Sequence, residues 1–390
     1  MKTIKDVDLK RKRILVRVDF NVPLKNGKVL DNNRVEETLP TIAYLMENDA
    51  KEITLMSHLG DPKGKVVEEL RLKPVAEVLA ELVGGQIEKI SLDKYSSKSR
   101  EGGTEKSDDN SSPRRIGGSN DKKIGIDCKY KIKENLFLLE NTRFNPGEEK
   151  NDPEFAKELA SMGDLFVFDA FGTAHRAHSS TVGVTKFLPS VAGLLVEKEI
   201  KELTELKENP GAPFLLIIGG AKTEDKAPMI DEFLKKEIVE NVVVGGRTAN
   251  LLVREGKYDK EKRVKLPIDG LDEKANEIGV TKENAEGIFD IGSATINEYK
   301  NDILKARTLL LAGPMGKFED ERFARGTNEI YLAAATSGAV KYAAGGETVE
   351  MIDSLSLRSK FNFISTGGGA TLEFLSGKEL PAIKALNKKT

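Results

Sequence analysis

The sequence predicts an α/β protein made of two doubly wound, parallel-sheet domains of Rossmann type, joined by a connector helix and a hinge. Three observations carry that expectation. Short apolar runs recur along the chain, each followed by a polar or glycine-rich turn and then by a helical pattern. At 390 residues the chain exceeds one ordinary core, so two domains are expected. Glycine is frequent, 35 residues, as many tight strand-to-helix turns require.

The runs are Ile14–Val18, Ile53–Met56, Leu136–Leu139, Leu165–Phe168, Phe214–Ile218, Val242–Val244, Thr308–Leu311 and Phe361–Ile364. Near-continuous apolarity marks strands buried on both faces, the condition of a parallel sheet covered by helices. Between two of them a helix is well signalled. Asp152 suits an N-cap, Pro153 the first helical position, and Phe155, Leu159 and Met162 an apolar stripe that Gly163 ends. Residues 191–207 are expected to connect the domains, with Val196–Lys207 as a charged helix before the break "ENPGAP". That gives an N-terminal domain over 1–190 and a C-terminal domain over 208–365. Within the first, "KYSSKSREGGTEKSDDNSSPRRIGGSNDKK" (94–123) offers almost nothing to bury and reads as a mobile insertion.

Composition narrows the function. There are 61 basic and 63 acidic residues, a net charge of −2, so nothing favours nucleic acid through overall charge. A lone cysteine, Cys128, rules out an internal disulfide and a cysteine-based metal site, and suits a reducing cytoplasm. The first 16 residues lack the apolar core of a signal peptide, and no stretch is long and apolar enough to span a membrane. The expectation is a cytoplasmic monomer acting on small molecules.

Ligands of an open parallel sheet lie at the carboxyl ends of its strands. In the first half those ends read Asp19-Phe20-Asn21, Ser57-His58, Asn141-Thr142-Arg143 and "DAFGTAHRAHSS", the last holding His175, Arg176 and His178. Arginine presents a fork of donors to phosphate or carboxylate, and four such ends predict a site for a small, strongly negative molecule. In the second half the ends are "GGAKTEDK", "GGRT", "AGPMGKFE", "AAGGETVE" and "STGGGAT". Glycines let backbone amides approach phosphate oxygens, and Lys222 and Lys226 on the first turn add charge, which predicts a polyphosphate site. Ala221 breaks a Walker A loop, and G-x-G-x-x-G is missing from these turns, against a nicotinamide dehydrogenase. A small-anion half and a nucleotide half describe a two-substrate phosphotransferase.

At these residues the chain resembles the phosphoglycerate kinase family, through "RVDFNVPL", "SHLGDPKG", "LENTRFNPGEE", "DAFGTAHRAHSS", "GGAKTEDK", "GPMGKFE" and "STGGGATLEFLSGKELPAI". The resemblance implies phosphate transfer between ATP and the carboxylate of 3-phosphoglycerate, with Mg²⁺, and hinge-bending between the domains. It implies substrate contacts from Asp19, Phe20, Asn21, Arg34, His58, Gly60, Asp61, Arg143 and Arg176. Nucleotide contacts are implied for Gly219, Gly220, Lys222, Lys226, Gly313, Glu319, Gly345, Gly346, Glu347 and Thr348, with Glu347 at the metal. Arg34, Lys222, Gly368 and Gly369 would surround the migrating group. The last residues, 366–390, are expected to return to the N-terminal domain.

Three positions depart from the family's pattern. Asp61 stands for an arginine, Ala312 for an asparagine and Glu347 for the metal-holding aspartate. Weakened kinetics are the expectation. The alternatives are a catalytically impaired relative that serves as a binding protein, and a phosphotransferase acting on another carboxylate.

Overall fold

A computed structural model describes residues 1–92, 126–221 and 223–387. The 94–123 insertion and Lys222 lie outside the described residues. The chain divides into two compact units. The first takes Met1–Ala170, Arg176–Val196 and the stretch from Pro381, the second Phe171–His175 and Glu197–Leu380.

In the first unit the strands are β1 (Arg13–Val18), β2 (Leu24–Lys25), β3 (Lys28–Val29), β4 (Glu52–Met56), β5 (Glu88–Ser91), β6 (Cys128–Lys131), β7 (Leu136–Leu139), β8 (Leu165–Asp169) and β9 (Ser190–Ala192). Helices α1 (Asn33–Glu36), α2 (Leu39–Glu47), α3 (Lys73–Val83) and α4 (Pro153–Ala160) stand between them. The main sheet runs β5-β6-β7-β4-β1-β8-β9. Its parallel part counts outward from β1 on both sides, so β1 and β8 flank the point where the winding reverses. Strand β6 is antiparallel to both neighbours, where an all-parallel sheet was expected. It alternates buried and half-buried residues, as an edge region covered on one face does. Ile14, Val16, Ile53, Leu55, Leu136, Leu138 and Val167 form the core with Val75 and Leu79 of α3, all completely buried. Each such side chain contributes on the order of 1.5–3 kcal/mol. The cap of α4 forms as its sequence asks: Asp152 accepts from the amides of Glu154 and Phe155 at 3.0 and 2.9 Å.

Helix α5 (Leu194–Glu208) begins in the first unit and continues into the second. The second unit then contains β10 (Phe214–Ile218), α6 (Thr223–Lys235), β11 (Asn241–Val244), α7 (Gly246–Glu255), β12 (Val264–Lys265), β13 (Asp269–Leu271), β14 (Glu277–Gly279), β15 (Asp290–Ile291), α8 (Ser293–Lys305), β16 (Thr308–Ala312), α9 (Arg325–Thr336), β17 (Val340–Ala344), α10 (Gly346–Ser354), β18 (Phe363–Ser365) and α11 (Gly369–Leu375). Its parallel sheet runs β12-β11-β10-β16-β17-β18, with the reversal between β10 and β16. A small antiparallel sheet, β14-β13-β15, had no apolar run to announce it. The return to the first unit starts at α12 (Pro381–Leu386), later than the expected 366. The physical reason is α11, which stays with the second unit by packing on α6 and setting Phe374 edge-on to Phe171, ring centroids 6.3 Å apart.

Candidate active site

In the first unit the site starts from register. Arg17 of β1 lies beside Met56 of β4, so the residues that follow each strand meet at one end of the sheet. Asp19, 5% exposed, accepts from Arg34 of α1 at 2.9 Å, and the same Arg34 nitrogen reaches the Asn21 carbonyl at 3.3 Å. Asn21 in turn accepts from the Gly60 amide at 2.9 Å. Arg143, after β7, donates to the Gly60 carbonyl at 2.7 Å and pairs with Glu149 at 3.1 Å. Asp19, Asn21, Arg34, Gly60 and Arg143 therefore form one continuous network. Phe20 is different: its side chain is completely buried in the core, so it anchors the loop and does not face it. Arg176 and Asp61 are exposed, and the network does not draw them in.

His58 is altered by its surroundings. It is 5% exposed, and its Nδ1 lies 3.1 Å from Nη2 of Arg17, itself 1% exposed. A guanidinium only donates, so Nδ1 must accept and the ring proton must sit on Nε2. Burial, followed by the charges of Arg17, Arg143 and Arg34, holds the imidazole well below its usual pKa. It is neutral at pH 7. Near Arg17, Glu148 is completely buried and accepts from the Ser180 hydroxyl at 2.5 Å and the Ser180 amide at 3.1 Å. Burial pushes its carboxyl up, while Arg17 pulls it back. Sequence reasoning missed both Arg17 and Glu148. Arg17 stands two residues before Asp19 inside an apolar strand, and a charge in such a strand was the signal to follow.

In the second unit the turns after β10, β11, β16, β17 and β18 converge. The Gly219 amide donates to the Ala312 carbonyl at 3.3 Å, bridging the two central strands at the reversal point. A Cβ on Gly313 would lie 2.3 Å from the Gly219 carbonyl, so only glycine allows this approach. A Cβ on Gly220 would meet Glu347 Oε2 at 2.6 Å and the Lys226 amine at 2.9 Å. Lys226 also donates to the Gly219 carbonyl. Thr248 and Tyr331, both completely buried and unsuspected from sequence, support these turns by donating to the carbonyls of Gly220 and Gly313 at 3.2 Å each. The β17 and β18 turns meet where Gly368 lies against Gly345, its Cβ position 3.2 Å from the Gly345 Cα.

Beyond β18, Glu199 of α5 is completely buried and takes the Thr366 amide and hydroxyl, each at 2.7 Å. The Gly367 amide goes to the Ser365 hydroxyl at 3.1 Å. The amides of Gly368 and Gly369 have no acceptor among the described residues. Glu319 is exposed, Thr348 is buried at the start of α10, and Gly346 stands exposed beside Glu347. Glu347 fits a hard cation in one respect: its carboxylate oxygen lies beside the Gly220 turn and the Lys226 amine, and Mg²⁺ is commonly held by one carboxylate together with substrate phosphate oxygens. The arrangement offers fixed donors for an anion in one unit and a glycine-lined cradle in the other.

A sequence model of the phosphoglycerate kinase family matches residues 4–111, 120–278 and 257–378. The phosphoglycerate kinase of Fervidobacterium nodosum is 41% identical over 423 residues, covering 99% of this chain and 98% of its own. That of Clostridium tetani is 43% identical over 420 residues, covering 100% and 98%. Among solved structures, phosphoglycerate kinase from Pyrococcus horikoshii aligns over 99% of this chain and 98% of its own, with a TM-score of 0.79 and 30% identity. The Coxiella burnetii enzyme aligns over 98% of each, with a TM-score of 0.70 and 32% identity. Among the described residues no helix is long and apolar enough to cross a membrane.

Proposed function

The chain belongs to the phosphoglycerate kinase family, and from that premise we propose how its residues share the reaction. It is a kinase of glycolysis that transfers phosphate between ATP and the carboxylate of 3-phosphoglycerate, giving ADP and 1,3-bisphosphoglycerate. The impaired-binding-protein alternative has no support. The acceptor needs no general base, since a simple carboxyl titrates near ~4 and is ionised at neutral pH. What the transfer needs is alignment and neutralised charge.

In this reading the network of Asp19, Asn21, Arg34, Gly60 and Arg143 holds 3-phosphoglycerate, and His58 adds a neutral Nε2–H donor. Arg176 adds charge from the loop after β8. Asp61, where the family has arginine, takes one positive charge from that hold and adds a negative one, screened by its exposure. The turns at Gly219, Gly220, Gly313, Gly345 and Gly346 cradle ATP with Thr348, Lys222 and Lys226, and Glu319 takes the ribose. Glu347 would hold Mg²⁺, which supplies charge neutralisation on the donor phosphates. Arg34, Lys222 and the Gly368 and Gly369 amides neutralise the migrating group. The halves are proposed to close about the α5 hinge, and the enzyme to work as a cytoplasmic monomer without nucleic acid or membrane. The carrying observation is the meeting of the turns after β10, β16 and β17 at Lys226 and Glu347.

A coupled assay with 3-phosphoglycerate tests the assignment. Arg34→Ala should cut turnover far more than ATP affinity. An unchanged rate removes Arg34 from the transfer.

A further inference from the structure

The second unit contains a buried acid with no place in the transfer itself. Asp290 of β15 is 1% exposed. Its Oδ2 accepts from the Gly326 amide in the first turn of α9 at 2.7 Å, and its Oδ1 from the Ile291 amide at 2.9 Å. A Cβ on either Gly316 or Gly326 would lie 2.3 Å from that Oδ1, so the carboxylate is wedged between the turn after β16 and the start of α9. Its neighbours complete a clamp. Thr327 Oγ1 accepts from the Met315 and Gly316 amides at 3.0 and 3.3 Å. The Lys317 amide donates to the Phe289 carbonyl at 2.8 Å, and the Tyr331 hydroxyl to the Gly313 carbonyl at 3.2 Å. The 313–317 turn thus hangs from β15 and the first two turns of α9, and Asp290 is the charged group joining those two.

We propose that Asp290 is a positioning residue for the nucleotide: its ionised carboxylate holds the N-terminus of α9 against the 313–317 turn, and ATP affinity falls when it takes up a proton. The proposal rests on Gly313 and its turn facing the nucleotide. Ionised, both oxygens accept amide protons and face the positive end of α9; protonated, one becomes a donor opposed to an N–H. Burial brings this carboxyl up to about 7, against the pull of the Gly326 and Ile291 amides and of Arg325. The other charged groups nearby are engaged elsewhere. Asp269 on the paired strand β13 takes the Ala294 and Thr295 amides of α8, each at 2.8 Å. Glu277 of β14 takes the Ser293 hydroxyl at 2.8 Å, and Arg322 pairs with Asp320 at 2.6 Å. Lys317 lies 6.0 Å over the Phe289 ring. The clamp is therefore tight above neutrality and slack below it.

The test is KM for ATP and for 3-phosphoglycerate on the full chain, from about pH 6 to about pH 8.5, at saturating magnesium. Wild type, Asp290→Asn and Thr327→Val are compared. Relative to Asp290→Asn, wild type should gain at least about fivefold in ATP affinity on going from the acid to the alkaline end, the worth of one buried charge-assisted hydrogen bond. The 3-phosphoglycerate KM should show no such difference. Thr327→Val should raise the ATP KM yet keep the wild-type pH profile. If Asp290→Asn keeps that profile, or raises both KM values equally, the proposal is overturned. Should Asp290→Asn not fold, a wild-type ATP KM flat across the range overturns it too. A Gly313→Val enzyme with unchanged ATP KM overturns the nucleotide reading itself and the proposal with it, an outcome the Asp290 profile does not mimic.

Discussion

His58 shows how much one side chain takes from its neighbours. In the unfolded chain it titrates at its ordinary value of 6.5, whereas in the fold burial and the adjacent guanidinium groups hold it neutral to much lower pH. Below 6.5 the unfolded state therefore binds the extra proton, and this residue's share of stability is lost progressively as pH falls. The Arg17 contact also fixes its tautomer. A long-range ¹H–¹⁵N spectrum should show His58 as the neutral Nε2–H form at pH 7, and Arg17→Gln should mix in the other tautomer and raise the 3-phosphoglycerate KM several-fold. An Nδ1–H signal in wild type would refute the assignment. His58 itself was legible in "SHLGDP", because it follows an apolar run at a strand end. Its protonation was not, since Arg17 is 41 positions away in sequence and becomes a neighbour only through the β1–β4 register.

At the scale of elements, the start of α5 is held by a side chain from another element. Asp169, the last residue of β8, accepts from the Leu195 and Val196 amides at 3.0 and 3.3 Å, so one strand caps another element's first turn. A Cβ on Gly193 would stand 2.2 Å from the Asp169 carboxylate. Gly193→Ala should displace that cap and lower stability in urea by about 1–2 kcal/mol, the worth of an N-cap; an unchanged midpoint would show that the cap tolerates the methyl. Burial raises Asp169 from 3.8 to about 6. The folded state thus binds the extra proton between those values, and ionising Asp169 costs stability as pH rises through that window. The helix was expected from its charged pattern over Val196–Lys207, and it begins two residues earlier, at Leu194. What sequence could not supply was its cap, because Asp169 reads locally as the end of a strand. Likewise β18 starts at Phe363 where the apolar run suggested Phe361, since Phe361 belongs to the preceding turn.

The whole molecule is where the two substrates must meet. Closure about the α5 hinge, proposed above, predicts a smaller radius of gyration by small-angle scattering with ATP and 3-phosphoglycerate together than with either alone. Equal values would remove closure from the mechanism. The amino-acid order alone determined the alternation of buried strands with helices, and it marked the strand ends that carry arginine, histidine and glycine, because apolar periodicity and turn chemistry act between near neighbours. Tertiary structure alone decided which of those ends touch. It set Arg17 against His58, wedged Asp290 between Gly316 and Gly326, and kept Gly369 to Leu380 in the second unit. The cause in each case is the same: desolvation and hydrogen-bond geometry depend on groups brought together from distant parts of the chain.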